Sequence, residues 1–162
     1  MFDQNFETID VQRLVMAQTK AEVFLRGFLS PDADRRSVLA SQLIPNDTDW
    51  EQVFVPDAVP GFRNYYAGLF TSGVTPTAKP GQTRLRVTAA QAEQLVYRNP
   101  LSDRFPGGYK KVVHLFQPQT IWLAWKFTEP NKVTGMAYDG LVFLPDERFL
   151  WFPKPWRMSQ VS

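Results

Sequence analysis

Ile121, Leu123, Trp125 and Phe127 alternate with Trp122, Ala124 and Lys126. A period of two with one face wholly apolar predicts a pleated core strand over 120–127. Similar patterning predicts strands over 110–116, 136–144 and 148–152. Gln117-Pro118-Gln119 and Pro145-Asp146-Glu147 are too short for crossovers, and proline's φ of about −65° suits a turn, so these neighbours are expected to pair as antiparallel hairpins. The longer connection over 128–135 carries the turn-forming run Glu129-Pro130-Asn131. A meander with a buried face needs a covering layer, which the first half of the chain must supply.

That half reads as helical. Val11, Leu14, Val15 and Met16 fit either a short strand or the first turns of a helix. Thr19 and Glu22 have capping-box spacing, followed by an apolar stripe of Val23, Phe24, Leu25 and Phe28. Ser30-Pro31-Asp32 opens a second helix with Ser as cap, buried through Val38, Leu39, Leu43 and Ile44 and stopped by Pro45 and Asn46. Thr48 and Glu51 repeat the capping box for a short helix ending before Pro56. A fourth helix is expected over about 60–70, with Phe62, Tyr65, Tyr66, Leu69 and Phe70 on its heavy face. Loop composition fills 71–82, and a short strand follows in which Thr83, Leu85 and Val87 alternate with Arg84 and Arg86 on the wet face. Thr88 and Gln91 then open a helix through Leu95, ended by Asn99-Pro100.

The fold class expected is therefore α+β, one domain over 1–162, its N-terminal helices packed on one face of a curved, mainly antiparallel C-terminal sheet. Residues 1–10 and 158–162 are expected to be disordered ends of it. A chain of 162 residues supports one sizeable core, and 44% hydrophobic with 14% aromatic residues fills it. With 18 basic and 16 acidic residues the net charge is +2, which implies no nucleic-acid partner. No cysteine means no disulfide, thiol nucleophile or cysteine zinc site. The apolar runs are strand-sized, and the N-terminus has neither a basic start nor a continuous apolar stretch. A cytoplasmic location without a membrane partner is expected.

The single histidine, His114, falls in the first expected meander strand, where Glu129, Asp139 or Tyr138 can orient it as a base; the reading preferred is an ordinary strand histidine, because no oriented, perturbed group is visible beside it. No metal-ligand cluster, nucleophile elbow or phosphate loop occurs, so no catalytic residue, metal or cofactor is assigned. Gly107-Gly108 reads as a turn requiring positive φ. Asp139-Gly140 lies between apolar residues and predicts a bulge, which either aims Asp139 at a pocket or only curves the sheet. A pocket between helices and sheet would be lined by Trp122 or Trp125, Tyr138 and Phe143, with His114 and Asp139 as its polar groups.

Arg35-Arg36, Arg84/Arg86, Lys110-Lys111 and Lys154/Arg157 read as solvated charges. In 151–157, two alternate prolines keep the chain extended and take it out of the sheet. Trp156 then either folds over the core as a lid, or forms with Trp151, Lys154 and Arg157 an anchor for a protein partner.

The stretches Phe105 to Tyr109, Gly135 to Leu141 and Trp151 to Arg157 are similar to sequences of small bacterial α+β proteins, which implies a bacterial source and no activity. The order of elements resembles that of nuclear-transport-factor-2-like proteins, which implies a cone-shaped fold. The functional expectation is a non-enzymatic protein-interaction or accessory role. The alternative is a small-molecule-binding protein or enzyme using the pocket.

Overall fold

The computed structural model describes residues 9–160. Four antiparallel strands form one sheet in the order β1-β2-β3-β4: β1 Arg84–Gln91, β2 Ile121–Thr128, β3 Gly135–Phe143 and β4 Phe149–Trp151. Among the described residues, five α-helices precede or interrupt them: α1 Val11–Arg26, α2 Ala33–Ser41, α3 Asp49–Val53, α4 Val59–Tyr66 and α5 Tyr109–Val112. The α+β class, with N-terminal helices on an antiparallel sheet, is as expected.

Helices cover both faces of the sheet rather than one. Ile121, Leu123, Trp125 and Phe127 pack with Ala17, Ala21 and Leu25 of α1, and with Phe28 and Leu43. Trp122, Val142, Leu150 and Phe152 pack on the opposite face against Phe54, Phe62, Tyr66, Tyr109 and Val112 from the region of α3 to α5. Ring contacts are dense on this second face, with Phe54 stacked on Phe62 at 3.9 Å and Phe116 on Trp122 at 4.1 Å. Offset aromatic pairs of this kind add to what burial alone contributes. Only Lys126 breaks the burial of β2.

Two element assignments change. Residues 110–116 form α5 and a 3-10 turn, Val113–Leu115, instead of a strand. Tyr109, Val112, Val113 and Phe116 are buried while Lys110, Lys111 and His114 are exposed. That spacing of three, four and seven is a helical stripe, and it outweighs the β-branched composition. The edge strand is supplied instead by 84–91, which pairs with β2 from Arg84↔Thr128 to Gln91↔Ile121. The helix expected after Thr88 therefore starts later, as the 3-10 turn Ala92–Leu95, whose capping box is formed by Gln91 and Gln94. Strand pairing along β2 prevails over the helix propensity of Ala89 and Ala90.

Smaller shifts occur at helix starts. Thr19 lies inside α1, which is capped by Asp10 accepting from the Arg13 amide at 3.1 Å. Asp32 rather than Ser30 caps α2. At α3 the side chain of Thr48 makes no cap; Asp49 turns back to accept the Asn46 amide at 2.7 Å and receives both terminal nitrogens of Arg148 at 2.7 and 3.1 Å. This half-buried pair fastens α3 to the β3–β4 hairpin. Residues 155–160 form a 3-10 helix; of the ends expected to be disordered, residues 1–8 and 161–162 lie outside the described residues.

Candidate functional site

The expected bulge is present. β2 pairs with β3 as Leu123↔Leu141 and then Trp125↔Tyr138, so Asp139 and Gly140 together oppose Ala124. Gly140 takes φ of 88°, and an added Cβ would overlap the Phe152 carbonyl. The bulge delivers Asp139, 5% exposed, to the inner side of the segment that leaves β4. Its Oδ2 accepts the Tyr109 hydroxyl at 2.7 Å and the Lys154 amide at 2.9 Å. Its backbone carbonyl accepts the Trp151 indole N–H at 2.9 Å. Burial pushes the Asp139 carboxyl above its ordinary value, against the Tyr109 and Lys154 hydrogen bonds and the nearby Lys154 and Arg157 charges. Tyr109 is also held well above the usual phenol range, first by burial and then by the Asp139 charge, which keeps it a hydrogen-bond donor.

Asp139 borders a cleft of about 520 Å³. The face of the sheet that carries Trp122 is sealed by α3 to α5 at one end only. Beyond that end, Arg86, Lys126 and Ala137 are exposed, Thr88 is half-buried and Ala124 is buried, and the segment from Asp103 to Pro106 lines the same cleft as a wall. Arg86 and Lys126 are direct cross-strand partners in the β1–β2 register. Both are exposed, and neither forms an ion pair with a described residue. Arg104 adds a third cation, whereas Asp103 pairs with Arg98 at 3.5 Å.

The expected pocket residues separate into three groups. Asp139, Tyr138 and Trp125 border the cleft. The rings of Tyr138 and Trp125 stack on each other at 5.5 Å within the core of the other face, and the Tyr138 hydroxyl donates to the Thr77 carbonyl at 2.7 Å. Trp122 is wholly buried and Phe143 lies in the opposite core, so neither borders this cleft. His114 is exposed on the Val113–Leu115 turn and borders none of the clefts described, so it and Asp139 do not converge. The strand assignment that placed His114 beside Asp139 fails for the helical reason given above.

The expected partner anchor is also divided. Trp151 is buried in the Leu123-side core, whereas Trp156 packs on Tyr109 at 5.6 Å on the other side of the sheet. Trp156 is the lid of the two readings. Gly108 makes room for it: φ is −62°, not positive as expected, but an added Cβ would overlap the indole ring. Lys154 and Arg157 are exposed. Tyr66 donates to the Pro153 carbonyl at 2.9 Å and Tyr65 to that of Lys154 at 3.3 Å, so the strap after β4 is tied down along its length.

Sequence reasoning passed over Arg86, Arg104 and Lys126 as a group. Their signals were present, two arginines on the wet side of a strand and the single charge in β2, but the register that places Arg86 opposite Lys126 was not readable. Among the described residues no group of three His, Asp or Glu side chains is placed to hold a metal ion, and no helix is long and apolar enough to cross a membrane. No protein-family model, curated protein or solved structure matches the chain.

Proposed function

We propose that this protein acts by binding a small molecule in the cleft between the Asp103 to Pro106 wall and the uncovered end of the sheet. The observation that carries the reading is the unequal covering of one sheet face: aromatic helices seal one half, and the other is left as a walled recess of about 520 Å³. That volume lies within the roughly 300–1,000 Å³ common for small-molecule sites. A cytoplasmic location belongs to the same proposal. The test is a fragment screen by ligand-observed NMR on the wild type and on Ala137→Trp, which fills the recess from β3. Hits lost in a folded Ala137→Trp support the reading; no hits, or hits kept equally by both proteins, reject it.

A second reading, the protein-interaction role, is favoured by a different surface from Trp151 and Trp156. Val11, Val15 and Val23 are 65%, 60% and 73% exposed, and their spacings of four and eight align them along one flank of α1. The partner that the protein by itself can test on this flank is a second copy of this chain. Sedimentation velocity should show concentration-dependent association that Val15→Asp with Val23→Asp abolishes; a wild type that stays monomeric rejects it.

A further inference from the structure

We infer that the cleft selects a small organic anion that also carries hydroxyl groups, such as a hydroxy acid or a sugar phosphate; this rests on the cleft being the binding site. Arg86 on β1 and Lys126 on β2 stand directly opposite each other on the same face. Like charges in that relation repel, and neither has a carboxylate partner among the described residues to offset the repulsion. An anion bridging the two removes the repulsion and gains charge-assisted hydrogen bonds; the guanidinium offers a fork that suits carboxylate and phosphate alike. Arg104 approaches from the opposing wall. The site is not uniformly positive. Asp139 is fixed through Oδ2 to Tyr109 and the Lys154 amide, and its Oδ1 receives no hydrogen bond from a described residue. An acceptor held in that way calls for a donor on the ligand, which a hydroxyl supplies and a bare inorganic anion does not. Thr88, half-buried on the same strand face as Arg86, adds a hydroxyl that can donate or accept. The apolar parts of the lining, Phe105, Pro106 and Ala137, suit the carbon skeleton between the two ends.

The experiment is a series of ¹⁵N–¹H correlation spectra at low salt, titrating gluconate, glucose 6-phosphate, inorganic phosphate and sorbitol into the full chain. Gluconate and glucose 6-phosphate are expected to shift the amides of Thr88, Ala124, Lys126 and Ala137, with sorbitol and inorganic phosphate at least tenfold weaker. Arg86→Gln with Lys126→Gln, both exposed positions, should retain the native spectrum and weaken gluconate at least tenfold. Sorbitol binding as tightly as gluconate, indifferent to the double variant, overturns the anion inference while leaving the cleft as a ligand site. Inorganic phosphate matching glucose 6-phosphate overturns the need for hydroxyls. If none of the four compounds moves these amides, the inference falls, and the fragment screen separately decides whether the cleft binds anything.

Discussion

The amide of Lys154 donates to Asp139 Oδ2 at 2.9 Å, joining the β3 bulge to the strap that follows β4. Lys154 has φ of 50°, a left-handed conformation that costs a lysine roughly 1 kcal/mol and persists because its neighbours hold it. Asp139→Ala would leave both the Tyr109 hydroxyl and this amide without their acceptor, at about 1–3 kcal/mol each. Urea unfolding should therefore place Asp139→Ala roughly 2–6 kcal/mol below the wild type, with Asp139→Asn, which keeps an acceptor oxygen, nearer to it. An alanine variant as stable as the wild type would mean that the bulge does not hold the strap.

The two buried aspartates should have opposite pH signatures. Burial raises the Asp139 pKa above its ordinary 3.8, so between that value and the folded one the native state holds a proton that the unfolded chain has lost. Its contribution is fully present at lower pH and declines as pH rises through that window. At Asp49 burial also acts upward, but the Arg148 hydrogen bond and charge and the Asn46 amide outweigh it and hold the carboxyl below 3.8. Its contribution is present above that value and lost as pH falls through the folded pKa. Unfolding free energies against pH should show a shallower acid-side loss in Asp49→Asn and no decline above 3.8 attributable to this site in Asp139→Asn.

Trp151 and Trp156, close in sequence, should respond separately because they lie in different cores. Trp151 is 6% exposed, and truncation to alanine should cost about 3–5 kcal/mol. The half-buried Trp156 should cost less, about 1–3 kcal/mol, and its loss should change the environment of Tyr109. Thermal unfolding and near-UV circular dichroism distinguish the two. A Trp156→Ala protein with unchanged stability and spectrum would return this residue to the list of surface anchors.

Lys126→Glu sets stability against binding. It replaces a cross-strand repulsion with an ion pair to Arg86, a gain of about 0.2–1 kcal/mol at an exposed position. The same change should abolish binding of an anion in the cleft. Higher thermal stability with lost gluconate binding is the expected combination, and an increase in both would contradict the role assigned to this pair.

Gly140→Ala tests the bulge directly. At φ of 88°, facing the Phe152 carbonyl, an added Cβ forces the β3 backbone and the strap apart. A loss of about 3 kcal/mol or more is expected in urea unfolding; a loss under about 1 kcal/mol would show that the two backbones can separate freely.

Local chemistry made much of this protein legible in its sequence. The alternation along β2, the turn at Pro145 to Glu147 and the bulge at Asp139-Gly140 are settled within a few residues, where propensity and hydrogen bonding act; the helix caps were not, since the side chains of Thr19, Ser30 and Thr48 cap no helix, and Val23, Val38 and Ile44 of the expected stripes are exposed. The stripe of Tyr109, Val112, Val113 and Phe116 was equally local, but β-branched residues disguised it as a strand. Other features depend on what lies opposite. Arg84–Gln91 became an edge strand because β2 offered eight residues of ladder, and that choice carried Arg86 to Lys126. Asp139 and Lys154, fifteen positions apart, meet only because β3 and β4 pair and the strap turns back. The sequence by itself determined the core strand β2, the bulge after Tyr138, the presence of the N-terminal helices and the residue types available. The tertiary structure alone decided which charges share a cleft and which tryptophans are buried, because pair interactions at close range depend on the register and direction of strands that no local segment specifies.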